Sequence, residues 1–252
     1  MDRETARRLC ELNTEFYQDN AASFSSSRQT PWPGWQICLA RAEKGIPHLH
    51  EALRVLDLAC GNLRFATFLR SELPQTILSY YAVDNCDALV PHDLPVNYQH
   101  LDLLDVLLQG HRLSEAIEAP ECDLSVCFGF MHHVPCREYR KAVLDSLIQH
   151  TRPGGYIMVT FWQFLKDNTL KAKALALQDK ALKEKDLPIL DEGDFLLDWD
   201  NLPGVYRYCH NFSNSEIFKL IKGVLPEVSL VSHFIADGRA NTLNFYIVLK
   251  RE

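Results

Sequence analysis

Three carboxylates close three successive apolar runs. Asp57 lies in Arg54-Val55-Leu56-Asp57-Leu58, Asp84 in Tyr81-Ala82-Val83-Asp84-Asn85 and Asp102 in His100-Leu101-Asp102-Leu103. An ionised carboxylate only accepts hydrogen bonds, so at a strand tip it suits the hydroxyls of a ribose or the amino group of a base. Asp84 is placed to accept both ribose hydroxyls, and Asp102 an adenine amino group while Leu101 or Leu103 packs on the ring. Between Asp57 and the next helical segment runs Ala59-Cys60-Gly61-Asn62, whose small residues let backbone approach a ligand closely. Each acid alone is commonly a helix cap. Three in a row, at the carboxyl ends of neighbouring strands, point to one crevice. The candidate cofactor residues are Asp57, Ala59, Gly61, Asn62, Asp84, Asn85, Asp102, Leu103 and Phe128, the last at the end of the fourth apolar run. A nicotinamide dinucleotide would want Gly-x-Gly-x-x-Gly at the turn; the chain has Ala59-Cys60-Gly61-Asn62-Leu63-Arg64, which fits a pyrophosphate poorly.

Phe128-Gly129-Phe130-Met131-His132-His133-Val134 follows the fourth run. His132 or His133 could act as a general base or polarise an acceptor; packing and hydrogen bonding is the plainer role for at least one of them. Cys122, Cys127, His132, His133 and Cys136 invite a zinc reading, but their spacing does not fit paired ligand knuckles and no metal is expected. The eight cysteines form no Cys-x-x-Cys pair and several sit in apolar runs, as buried reduced thiols do.

The elements that must position these residues read as an α/β alternation. Thr5–Asn20 reads as a helix with Leu9, Leu12 and Phe16 on one face, 23–30 as a polar loop, and Pro33 as the first turn of a second helix. Strands are expected at 54–58, 77–83, 96–101, 123–128 and 156–162, with helices at 65–72 and 137–150, which implies a mostly parallel sheet covered on both faces. Two last strands, 228–235 and 243–250, are joined too closely for a parallel crossover and predict an antiparallel hairpin. The chain divides into an N-terminal helical lid (1–52), a cofactor-binding core (53–162), a cap insertion (163–204) and a segment completing the sheet (205–252), all in one domain.

Composition limits the function. The chain has 252 residues, 47% hydrophobic and 23% charged, the balance of a globular protein. No run reaches the length of a membrane helix and the N-terminus carries no signal-peptide pattern, so no membrane partner and a cytoplasmic location are expected. A net charge of −7 argues against broad nucleic-acid binding. Residues 166–186 nevertheless hold six lysines against four acids, a face that is either solvated or a local basic patch.

With these residues in place, the chain resembles the tRNA wobble-uridine carboxymethyl methyltransferases, a class I family. The resemblance rests on Phe24-Ser25-Ser26-Ser27-Arg28-Gln29-Thr30-Pro31-Trp32-Pro33, similar to the family's F-x-x-T-R-x-x-P-W-P, and on the turn from Asp57 to Asn62. It also rests on Met131-His132-His133 with Arg152-Pro153-Gly154-Gly155 and Trp162, and on 193–199 with Arg207-Tyr208-Cys209-His210-Asn211-Phe212. Ser27, Ala59, Leu63 and Cys209 depart from the family's residues, marking a divergent member. The resemblance implies a Rossmann-like class I fold with a seven-stranded sheet, S-adenosylmethionine as cofactor, and methylation of a carboxylate on a modified tRNA uridine. Arg28 is then the candidate to hold that carboxylate, with His132 and His133 at the reacting centre and Trp32, Trp162, Arg207, Tyr208 and His210 toward the acceptor. tRNA is the implied partner, and the family's eukaryotic enzymes work with a small activator protein. A small-molecule carboxyl or hydroxyl acceptor on the same scaffold is the alternative, and a noncatalytic partner subunit a third reading.

Overall fold

The computed structural model describes residues 1–91, 93–199 and 202–252. Two helices, α1 (Arg3–Ser26) and α2 (Pro33–Glu43), precede β1 (Ala52–Leu58), α3 (Arg64–Glu72), β2 (Ile77–Asp84), β3 (Asn97–His100), α4 (Leu103–Leu108), α5 (Leu113–Ala116), β4 (Cys122–Cys127), α6 (Arg137–Gln149) and β5 (Thr151–Trp162). Then come α7 (Asn168–Glu184), β6 (Asp194–Asp198), β7 (Tyr206–His210), α8 (Asn214–Lys222), β8 (Val228–Ala236) and β9 (Asn244–Arg251). The main sheet has seven strands in the order β3-β2-β1-β4-β5-β9-β8. Pairings from β3 to β5 are parallel, and β9 runs antiparallel to both β5 and β8.

Strand alternation sends successive side chains to opposite faces. In β1, Leu56 and Leu58 join the core under α4, α6 and α8, while Val55 joins the one under α2 and α3. The chain order reverses between β1 and β4, so the crevice for a ligand opens above their carboxyl ends. Asp57, Asp84 and the turn at Gly61 all lie there.

Three features differ from the expectation. The first helix runs on to Ser26 instead of stopping at Asn20. Asn20 itself is non-helical, but its side chain bonds the Phe16 carbonyl, and Ser23 and Ser26 bond back to carbonyls three residues earlier. The fifth strand begins at Thr151, taking in the expected Arg152–Gly155 turn. Residues 206–210 do not extend the main sheet: β7 pairs with β6 in a separate antiparallel hairpin, against which α1 and α7 pack. That hairpin belongs with the cap, so completion of the sheet is left to β8 and β9. Among the described residues no helix is long and apolar enough to cross a membrane.

Candidate active site

A cavity of about 820 Å³ opens at the carboxyl ends of β1, β2 and β4, roofed by α1 and the 27–35 segment. All nine candidate cofactor residues line it, as do Arg28, His132, His133, Trp32, Trp162 and Arg207. Its two ends differ in charge.

The acidic end is built on the β1–α3 turn. Ala59, Gly61 and Leu63 all have positive φ (59°, 54° and 56°), so the turn needs three left-handed residues of which only one is glycine. The family glycines replaced by Ala59 and Leu63 are thus replaced where glycine is least strained. Gly61 N donates to Asp84 Oδ2 at 2.8 Å and Cys86 N to Asp84 Oδ1 at 2.9 Å, tying the turn to the tip of β2. Burial raises the Asp84 carboxyl above its ordinary value, opposed by these backbone donors. Burial also pushes Asp57 up to about 7, against the hydrogen bond it accepts from Tyr80 at 2.5 Å. Asp102 caps α4, accepting from Leu104 N and Asp105 N, while Asn85 donates to its other oxygen at 2.6 Å. The cap role and the cavity position coexist in one carboxylate. A Cβ built at Gly61 meets no protein atom within 4 Å. Open backbone beside buried acids fits the cationic methionine end and ribose of S-adenosylmethionine.

The other end is cationic and aromatic. Arg207 is 7% exposed, makes no ion pair among the described residues, and leaves its Nε without a hydrogen-bond partner. Its guanidinium lies over the rings of Trp199, Phe16 and Trp162, at 5.3, 5.5 and 5.6 Å from their centroids. Arg28 lies over Phe24 at 4.3 Å and shares Trp199 at 5.1 Å. Asn62 binds the lid to the cofactor turn, donating to the Arg28 carbonyl at 3.1 Å, and Arg64 Nη1 donates to Thr30 O at 3.0 Å.

His132 and His133 line this end but are held neutral. Burial, then the neighbouring imidazole and Arg207, lowers His132 well below its ordinary value; burial and Arg207 push His133 down to about 3. His133 Nδ1 lies 2.8 Å from the Tyr208 carbonyl, which can only accept, so Nδ1 carries the proton and Nε2 accepts from the Tyr17 hydroxyl at 2.7 Å. A base so weak, with its lone pair already used, is a poor proton acceptor, which corrects the general-base expectation for His133. Among the described residues His132, His133 and Cys209 form the one cluster with metal-ligand spacing. His133 has both nitrogens engaged as above, whereas His132 Nδ1 has no hydrogen-bond partner among the described residues; the Cys209 thiol is pushed up to about 12 by burial and Arg207 stands beside it, which disfavours a cation.

Tyr208 and His210 are absent from the cavity wall. Alternation along β7 turns them to the opposite side from Arg207, where Tyr208 Oη donates to Asp194 at 2.7 Å. His210 bridges Asp194 (2.6 Å) and Glu216 (3.0 Å). Their expected contact with the acceptor is therefore corrected to a buried polar network that also holds Arg140. Conversely, Asn13, Tyr17, Phe24 and Arg64 line the cavity without having been expected there. Cys10, Asn13, Thr14 and Tyr17 fall on one stripe of α1, and a partly polar stripe beside the Leu9, Leu12, Phe16 face was the available signal.

No family model matches the chain. It is similar to the tRNA (carboxymethyluridine(34)-5-O)-methyltransferase of Macaca fascicularis, 26% identical over 182 residues covering 69% of this chain and 23% of that protein. The chain thus matches about a quarter of the length of that curated relative. Among solved structures, a SAM-dependent methyltransferase of Methanosarcina mazei superposes with a TM-score of 0.56 at 15% identity, covering 80% of this chain and 93% of that one. The magnesium protoporphyrin IX methyltransferase of Synechocystis PCC 6803, solved with bound SAH, gives 0.53 at 13% identity, covering 95% and 99%. The fold is that of the class I S-adenosylmethionine-dependent methyltransferases. Within that class, the sequence resembles the tRNA carboxymethyluridine methyltransferases as a divergent relative.

Proposed function

We propose that this chain is an S-adenosylmethionine-dependent methyltransferase whose acceptor is a carboxylate, in the first place the carboxymethyl group of a modified wobble uridine in tRNA. The observation that carries the reading is Arg207: a buried guanidinium that lines the aromatic part of the cavity, makes no ion pair among the described residues and leaves its Nε without a hydrogen-bond partner there. A guanidinium with a donor still unused at a cavity wall suits a carboxylate ligand, which meets its planar fork with two charge-assisted hydrogen bonds.

When bound, S-adenosylmethionine supplies a methyl group activated by its sulfonium. Asp57, Asp84, Asp102 and the Gly61 turn would hold it. A carboxylate acceptor is already ionised at neutral pH, so no base is required, in keeping with two neutral histidines. What remains for the protein is positioning, which can supply much of the acceleration of a methyl transfer. Arg207 and Arg28 would orient the acceptor, and Trp32 and Trp162 offer ring faces to a base.

The cavity is also lined by apolar and aromatic side chains, including Phe24, Phe65, Phe128 and Phe130, which favours a small acidic molecule as the second reading. Transfer of label from S-adenosylmethionine to total tRNA and to a small-metabolite extract, run side by side, separates the two. An alkali-labile ester in the tRNA fraction supports the first. Label in neither, with no calorimetric binding of the cofactor, would make the chain a noncatalytic partner subunit. The tRNA partner and a small activator protein are inferences from the family resemblance.

A further inference from the structure

Resting on the tRNA-acceptor reading, we propose that Arg239, on the turn between β8 and β9, binds a backbone phosphate of the RNA beside the methylated uridine and so selects a polynucleotide over a free nucleoside. Asn244, which opens β9, pairs with Trp162 at the carboxyl end of β5, so this turn stands at the same edge of the sheet as the cofactor site. In the strand order β2-β1-β4-β5-β9-β8 it lies across β4 and β5 from Asp57 and Asp84. Asp237, Gly238, Arg239, Leu243 and Asn244 all line the cavity there. Among the described residues the arginines of the cavity wall are Arg28, Arg64, Arg207 and Arg239. Arg207 is buried and Arg28 and Arg64 are half-buried; Arg239 is the exposed one. Its guanidinium makes no hydrogen bond, ion pair or ring contact with any described residue.

The turn that carries Arg239 is firmly held. Asp237 is buried in a left-handed backbone conformation (φ 69°), and its carboxylate accepts from Gly34 N at 3.0 Å, Asn244 Nδ2 at 2.8 Å and Tyr246 Oη. These donors fasten the turn to α2 and β9, and they occupy the carboxylate nearest in sequence to Arg239. Leu243 N donates to Asp237 O at 3.3 Å and Gln163 N to Leu243 O at 2.8 Å, which joins the turn to the end of β5. A cation kept without a partner at the mouth of a cavity suits an anion that stays at the rim. A phosphodiester is such an anion: burying its charge is costly, so it remains outside when its base enters a pocket. A uridine in a single-stranded loop can be splayed out and stacked on aromatic rings, with a phosphate on either side. Trp32 and Trp162 offer the rings, and Arg239 meets one of the phosphates.

The test is R239A, assayed with S-adenosylmethionine and two acceptors that share the reacting group: an anticodon stem-loop RNA bearing 5-carboxymethyluridine, and the free nucleoside. For the RNA, KM should rise about fivefold, and the slope of log KM against log salt should fall by about 0.7, the share of one phosphate on a single strand. The nucleoside KM and the cofactor affinity should stay unchanged. R239K should retain most of the RNA affinity, because a phosphate contact needs the charge. An unchanged RNA KM and salt slope, an equal loss with the nucleoside, or methylation of the nucleoside alone would each overturn the proposal. If the native chain methylates neither acceptor, the acceptor reading fails, and filter binding of the same stem-loop decides the contact. Weaker and less salt-dependent binding by R239A supports it; equal binding overturns it.

Discussion

The Arg207 guanidinium lies over the ring of Trp199, its carbon 5.3 Å from the ring centroid. The ring quadrupole offsets part of the cost of burying the charge, and an acceptor carboxylate at the unused Nε would add to it. R207M should therefore weaken acceptor binding by about a hundredfold or more, the value of a buried charge-assisted pair, and leave cofactor affinity unchanged. Titration calorimetry with each ligand checks the split, and an equal loss of cofactor affinity would mean that Arg207 does not act on the acceptor.

The parts of this site that were legible in sequence are those set by local rules. Asp57, Asp84 and Asp102 each end a strand or cap a helix, and the continuous apolar runs before Asp57 and Asp84 mark strand ends buried on both faces. The cap was legible only as an interruption. Nothing in the alternation of Tyr206 to His210 says that its partner is Phe195 and its neighbours instead of β9, and the choice of partner decides that Arg207, and not Tyr208, meets the cavity. Tyr17 and Asn13 were hidden for another reason. A polar residue on a helix reads as solvent-facing unless the element covering it, here β7, is known.

Asp57 makes cofactor binding pH-dependent. Its carboxyl ionises at about 7 in the folded chain, raised from the ordinary 3.8 chiefly by burial. A cationic ligand favours the ionised form, so affinity should rise with pH through 7 and level off above it, by about tenfold between pH 6 and pH 8. The sign for stability without ligand is opposite: the folded chain holds the proton more tightly than the unfolded one, so stability falls as pH rises from about 4 to 7. Titration calorimetry at both pH values checks the first effect, and D57N should flatten the profile.

Asp84 and Arg28 should separate by ligand. Asp84 accepts the Gly61 and Cys86 amides, so D84A loses both the ribose acceptor and the shape of the turn; cofactor affinity should drop by about a hundredfold. The lid is tied to Asn62 through the backbone carbonyl of Arg28, which R28A retains. That variant should bind cofactor within about twofold of the native chain while its acceptor KM rises about tenfold. Equal losses of cofactor affinity in the two variants would contradict the division.

The β1–α3 turn offers a three-way test of strain against space. Ala59 and Leu63 both occupy left-handed backbone, at a cost of about 1–2 kcal/mol each. At Ala59 the side chain is a single methyl, so A59G should relieve the strain and, after the added freedom of the unfolded chain, gain up to about 1 kcal/mol. At Leu63 the side chain is fully buried in the core under α2 and α3, so L63G should lose about 2–4 kcal/mol despite the same relief. G61A completes the set: its Cβ meets no protein atom, so the fold should lose only about 1 kcal/mol of backbone strain while the methyl intrudes where the cofactor must lie. Urea unfolding with and without S-adenosylmethionine reads both effects. If G61A is stabilised by the cofactor as much as the native chain, the turn does not cradle it.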